Sequence, residues 1–126
     1  MKESQLQQAI KDALVLAGFR VLHTSAHRQK GPSGVSPGVL DLLVTHQCCK
    51  PNWLGIEVKT DKGRLSPAQK ELADLGMVKV ARSPREAAWE AWKWLCWNTE
   101  VTDEVLQYVN QAKRVYDALD KEDHRG

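Results

Sequence analysis

Between residues 2 and 17, apolar side chains recur at Leu6, Ala9, Ile10, Ala13, Leu14 and Ala17, the spacing of a helix with one buried face, and Gly18 supplies a stop. The period then changes. Residues 19–24 contain the β-prone run FRVLH, whereas GPSGVSPG at residues 31–38 is too rich in Gly, Pro and Ser for regular structure, so a strand should run into a long loop. Residues 39–45 and 53–60 read as two more strands, and the polar connection with Pro51 and Asn52 between them favours a hairpin. Ser66, Pro67 and Gln69 set a hydroxyl at an N-cap, a proline in the first turn and a glutamine three residues on, which announces a helix ending near Gly76. Residues 77–81 form a fourth strand, and the helical crossover before it favours parallel pairing. Ser83 and Pro84 repeat the capping signal for a helix carrying Trp89, Trp92, Trp94 and Trp97. A last helix, residues 102–119, sets Val105, Val109, Ala112, Tyr116 and Leu119 on one stripe.

The order α-β-β-β-α-β followed by two helices predicts an α/β class chain, a mixed sheet with helices packed on it. With 126 residues, 42% of them apolar, there is material for one core. The apolar stretches fall well short of the roughly 20 residues of a membrane span, and Met1 is not followed by a signal-peptide pattern. Three cysteines, Cys48, Cys49 and Cys96, are an odd number without metal-site spacing, which fits a reducing interior better than a disulfide framework. A cytoplasmic protein without a membrane partner is the expectation.

Charge adds one asymmetry. Residues 19–85 hold 11 Lys and Arg against 5 Asp and Glu, and residues 86–126 hold 5 against 9, although the net charge is only +2. A basic middle suits a phosphate-binding surface.

Alternation along the third strand puts Leu54, Ile56 and Val58 on one face and Gly55, Glu57 and Lys59 on the other. In the second strand Leu40, Leu42 and Val44 form the apolar face, and Asp41 shares the opposite one with Leu43. If the two strands pair, Asp41 and Glu57 converge. Two close carboxylates repel unless a cation lies between them, and hard oxygen donors suit Mg2+ or Mn2+, with the Val58 carbonyl as a further donor. A lysine beside such an ion can position a water and stabilise charge on a phosphate oxygen, which is what phosphodiester hydrolysis requires. Each residue also has a plainer role. E-x-K on a strand is commonly a solvated face, Gln69 fits the third position of a capping box, and Glu3 is a favourable charge in a helix's first turn.

Taken together, Glu3, PGVLDLLV at residues 37–44, IEVK at residues 56–59 and GRLSPAQ at residues 63–69 resemble the VRR-Nuc branch of the PD-(D/E)XK nuclease superfamily, over about residues 1–85. The resemblance implies a restriction-endonuclease-like domain over residues 1–97; residues 98–126 are a helical extension outside it, whose acidic, amphipathic character suits packing against a partner subunit in a dimer. It further implies a structure-selective DNA nuclease using Mg2+ or Mn2+, homodimeric in the small phage and bacterial members and acting on branched DNA such as four-way junctions. Larger relatives carry the domain in Fanconi-associated repair nucleases. Carried over residue by residue, it makes Asp41 and Glu57 metal ligands, Lys59 the water-positioning residue, Glu3 an auxiliary acid and Gln69 the group that orients Lys59 or the water. The proline that usually precedes the motif aspartate is Leu40 here, and Pro37 is the nearest proline.

Lys62 and Arg64 after the third strand, with His27, Arg28 and Lys30 in the loop before Asp41, are candidates for DNA phosphates and equally for solvated surface. His46, Cys48 and Cys49 lack the second cluster a zinc site needs and read as a loop. Trp89, Trp92 and Trp97 share a helical face suited to a core or a subunit interface, which leaves Trp94 as the exposed contact. Two other functions fit the same residues: a restriction-like enzyme cutting plain duplex, and a non-catalytic DNA-binding protein that keeps the scaffold.

Overall fold

A computed structural model describes residues 1–24 and 40–125. The elements are α1 (Glu3–Leu16), β1 (Arg20–His23), β2 (Leu42–Thr45), a 3-10 turn (Gln47–Cys49), β3 (Leu54–Val58), α2 (Pro67–Asp74), β4 (Val78–Ala81), α3 (Pro84–Trp97) and α4 (Asp103–Asp123). The strands lie in the order β1-β2-β3-β4, with β1 and β3 antiparallel to β2 and β4 parallel to β3. The predicted hairpin and parallel crossover are both present. No helix among the described residues is long and apolar enough to cross a membrane.

One face of the sheet holds the core. Leu42 and Val44 of β2 and Leu54, Ile56 and Val58 of β3 meet Leu6, Ile10 and Leu14 of α1 and Ala87, Ala91 and Leu95 of α3. The small residues of α3 let its axis come close to α1, because helices approach more tightly over alanine than over leucine. α4 packs on α3 and α1 and contributes Ala112 to the same core, with Tyr108, Val109 and Val115 packed around it. Arg85 of α3 ties it down through Asp120 at 3.2 Å and Asp123 at 3.0 Å. The Gln111 amide donates to the Leu16 carbonyl at 3.1 Å, beside Gly18, whose φ of +99° ends α1.

The buried stripe of α3 is alanine and leucine, so the tryptophans lie differently from the expectation. Trp94 is half-buried against Phe19, and Trp97, at 90% exposure, is the most exposed of the four. Trp89 packs on Tyr116 of α4 at 4.9 Å between ring centres. A helical wheel of tryptophans alone points to the wrong face, because the tight α1–α3 contact selects small side chains.

β2 begins three residues later than residue 39, for a local reason. The Asp41 carboxylate, Oδ2, accepts the Val58 N–H at 2.8 Å, and so takes a donor that a continuing strand would pair with a carbonyl. The Asp41 amide donates at 3.0 Å to the carbonyl of Ile56, the residue already paired with Leu42, so the pairing slips by one residue at Asp41 and Leu40 turns to the face of Gly55 instead of the core. The expected loop at residues 31–38, Pro37 and the DNA-contact candidates His27, Arg28 and Lys30 lie outside the described residues.

Candidate metal centre

Asp41 stands just before β2 and Glu57 near the end of β3, on either side of the last pair Leu42↔Ile56, and their carboxylates converge there. The third strand's second face is not solvated. All five residues of β3 are buried, and Asp41 and Glu57 are 3% and 2% exposed. Glu3 lies one turn before Leu6 on the stripe by which α1 meets the sheet, so its carboxylate reaches the same strand ends. Carboxylate oxygens of Glu3, Asp41 and Glu57 lie within 4.8 Å of one another. The helix start assigned to Glu3 thus serves two purposes, a favourable charge at the α1 N-terminus and a third acid at the cluster.

Each buried acid is held by a neighbour. Val58 fixes Asp41 through its amide nitrogen, and the Gln69 side-chain amide donates to Glu57 Oε1 at 2.8 Å. Gln69 also closes the capping box of α2: its Oε1 accepts from the Ser66 N–H at 2.8 Å while its own N–H reaches Ser66 Oγ at 3.2 Å. The cap and the contact with Glu57 are therefore one geometry. Gln69→Ala should cost about 1 kcal/mol through the lost cap and weaken any cation binding at the acid cluster on the order of tenfold or more through a loosened Glu57. Gln69→Glu should keep the Ser66 cap but lose the donor to Glu57, as measured by melting temperature and Mn2+ titration together.

Lys59 follows on the same strand face. Its ammonium is 3.7 Å from Glu57 Oε1, and its amide donates to Ala81 at 3.1 Å, which extends the β3–β4 pairing to the site. Lys62 and Arg64 are exposed on the connection to α2. Arg82, which the sequence did not single out, holds that connection: its Nη1 donates to the Thr60 carbonyl at 2.7 Å and to the Gly63 carbonyl at 2.8 Å. No local signal distinguishes an arginine of this kind, since its partners are backbone groups 22 and 19 residues away.

The donor set fits a hard divalent cation. Among the described residues, three carboxylates, two of them buried and hydrogen-bonded, stand beside the Lys59 ammonium, and oxygen-only ligation is the preference of Mg2+ and Mn2+.

The His46, Cys48 and Cys49 group is structural. His46 Nδ1 accepts from the Cys48 N–H at 3.1 Å, capping the 3-10 turn, which leaves the ring proton on Nε2. The ring packs edge-on between Phe19 and Tyr108, and burial pushes its pKa below the usual histidine value. Burial, with Cys48 beside it, pushes the Cys49 thiol up to about 11. A histidine whose folded pKa is lowered is neutral in the fold and charged more readily in the unfolded chain. Stability from this residue is present above the unfolded value of about 6.5 and is lost as pH falls from there towards the folded pKa. The melting temperature should drop as pH falls below about 6.5, and His46→Asn, which keeps an acceptor for the turn but does not titrate, should flatten that slope.

No family model, curated protein or solved structure matches the chain.

Proposed function

We propose that the chain is a Mg2+- or Mn2+-dependent endonuclease of the VRR-Nuc type, hydrolysing phosphodiester bonds in branched DNA such as four-way junctions. The observation that carries this reading is the convergence of Glu3, Asp41 and Glu57, with Lys59 at 3.7 Å from Glu57. A structural ion pair would need neither a second buried carboxylate nor a third acid from another element. A divalent cation bound there supplies a water of lowered pKa and takes up charge on the phosphate. Asp41, Glu57 and Glu3 hold it, with the Val58 carbonyl as a further donor. Val58 N–H and Gln69 keep the two buried carboxylates in place before the substrate arrives, which removes a reorganisation cost from the reaction. Lys59 orients the attacking water and stabilises the charge that builds on the phosphate oxygens. Lys62 and Arg64, on the connection braced by Arg82, take neighbouring phosphates, a role also proposed for His27, Arg28 and Lys30.

A homodimer in the cytoplasm belongs to the same proposal. Deleting residues 99–126 would remove Ala112 from the core, so the mass of the full chain by light scattering is the appropriate test of dimerisation.

The functional test is cleavage of end-labelled four-way junction, flap, plain duplex and single-stranded DNA in Mg2+, Mn2+ and EDTA, with Asp41→Asn and Lys59→Ala as controls. Metal-dependent cutting of branched DNA, absent from both variants, is the expected result. Cutting of plain duplex alone would replace it with a restriction-like enzyme, and tight binding without cutting of any substrate would replace it with a DNA-binding protein.

A further inference from the structure

The face of the sheet that carries the acids continues past them. By the pairing of β2 with β1 and β3, Arg20, Leu22, Leu43, Thr45, Trp53 and Gly55 share the side of Asp41 and Glu57. Trp53 is 53% exposed there, and Leu22 is about as exposed. Four residues separate Trp53 from Glu57, which at about 3.3 Å per residue is about 13 Å along the strand.

Gly55, midway, determines how the indole lies. A Cβ at this position would come within 3.5 Å of Trp53 Cζ3 and 3.2 Å of Leu40 Cδ2, so the missing side chain lets both lie against the strand. The result is an apolar floor leading from the indole towards the acids. Across β2, Arg20 pairs with Thr45, and both line a cavity of about 460 Å³ together with Lys50 and His46. Residues 19–24 and 42–56 contain no Asp or Glu. An exposed indole on strands that bring cations and no acid outside the metal cluster matches a polyanion that carries flat apolar rings.

We propose that Trp53 is a stacking platform for an unpaired base of the DNA, so that the site takes a strand with a base out of its duplex about 13 Å from the acids, or about four nucleotides at the 3.4 Å spacing of a stacked strand. This rests on the nuclease reading and deepens it, since it gives the chain its own reason to favour branched over uninterrupted duplex DNA. Arg20 and Lys50 take the phosphates next to that base. Base stacking on an aromatic side chain is sequence-tolerant, so the selection is for structure and not for sequence.

The test uses the full chain and a flapped duplex carrying 2-aminopurine at each of the nucleotides around the branch, one per substrate. Fluorescence is read in EDTA and, with Mg2+, in the Lys59→Ala background. Binding should quench the probe at one or two adjacent positions. Trp53→Ala should abolish that quench, Trp53→Phe should restore most of it, and the melting temperature of both variants should match the wild type. In the cleavage assay Trp53→Ala should lower kcat/KM on the flap and junction about ten- to a hundredfold and leave any cutting of plain duplex unchanged. A quench that survives Trp53→Ala, an equal loss on plain duplex, or a fall in molecular mass that makes this face a contact between two copies of the chain would each overturn the proposal. The two levels separate cleanly. Position-specific quenching without metal-dependent cutting would sink the hydrolase and keep the platform, and metal-dependent cutting untouched by Trp53→Ala would do the reverse.

Discussion

Glu57→Gln should lower DNA cleavage on the order of a thousandfold while leaving the melting temperature at or above that of the wild type. The two halves have one cause. Carboxylate oxygens of Glu3, Asp41 and Glu57 lie within 4.8 Å of one another. At that separation two unit charges repel by about 3 kcal/mol at an effective dielectric of about 20, and the Lys59 ammonium at 3.7 Å from Glu57 opposes that repulsion. An amide of the same shape keeps an oxygen for the Gln69 donor, removes one charge from the cluster, and can no longer serve as an anionic ligand. Adding Mg2+ or Mn2+ should raise the melting temperature of the wild type, by an amount that grows about 1.4 kcal/mol per tenfold excess over the dissociation constant, and should leave that of Glu57→Gln nearly unchanged. A fall in stability in the variant without metal would show that Glu57 is held by its ion pair with Lys59 and that the repulsion is not what the site stores.

Asp41 should divide the same two properties differently. Asp41→Ala and Asp41→Asn should abolish cleavage alike, because both remove a carboxylate from the cation, but only the alanine should destabilise the fold. The Asp41 carboxylate accepts the buried Val58 N–H at 2.8 Å. Asparagine retains an acceptor oxygen, whereas alanine orphans the amide at a cost of about 1–3 kcal/mol, or roughly 4 °C of melting temperature per kcal/mol in a chain of this size. Thermal melts of the two variants read the difference directly. An equal melting temperature would mean that the Val58 amide finds another acceptor.

The sheet topology was legible in the sequence because each connection carries its own chemistry. A polar turn between residues 45 and 53 makes a hairpin, and Ser66-Pro67-Ala68-Gln69 makes the helical crossover that sets β4 parallel to β3. Asp41, Glu57 and Lys59 come together because period-two alternation and strand pairing are both local properties. The convergence of Glu3 is of another kind. It depends on α1 crossing the sheet at the strand ends, which no spacing in the sequence records. The Trp94 and Trp97 exchange, the Arg82 brace and the burial of β3 on both faces have the same origin, since each is decided by partners distant in the chain. Gln69 shows the opposite case, in which one local signature proved to serve the fold and the site at once.

The most direct measurement is a calorimetric titration of Mn2+ into the wild-type chain and into the Glu57→Gln and Glu3→Gln variants, without DNA. Saturable binding by the wild type, lost in Glu57→Gln and weakened in Glu3→Gln, is what a cation centre built from these three acids predicts. No binding by the wild type, or binding that survives Glu57→Gln unchanged, would contradict it.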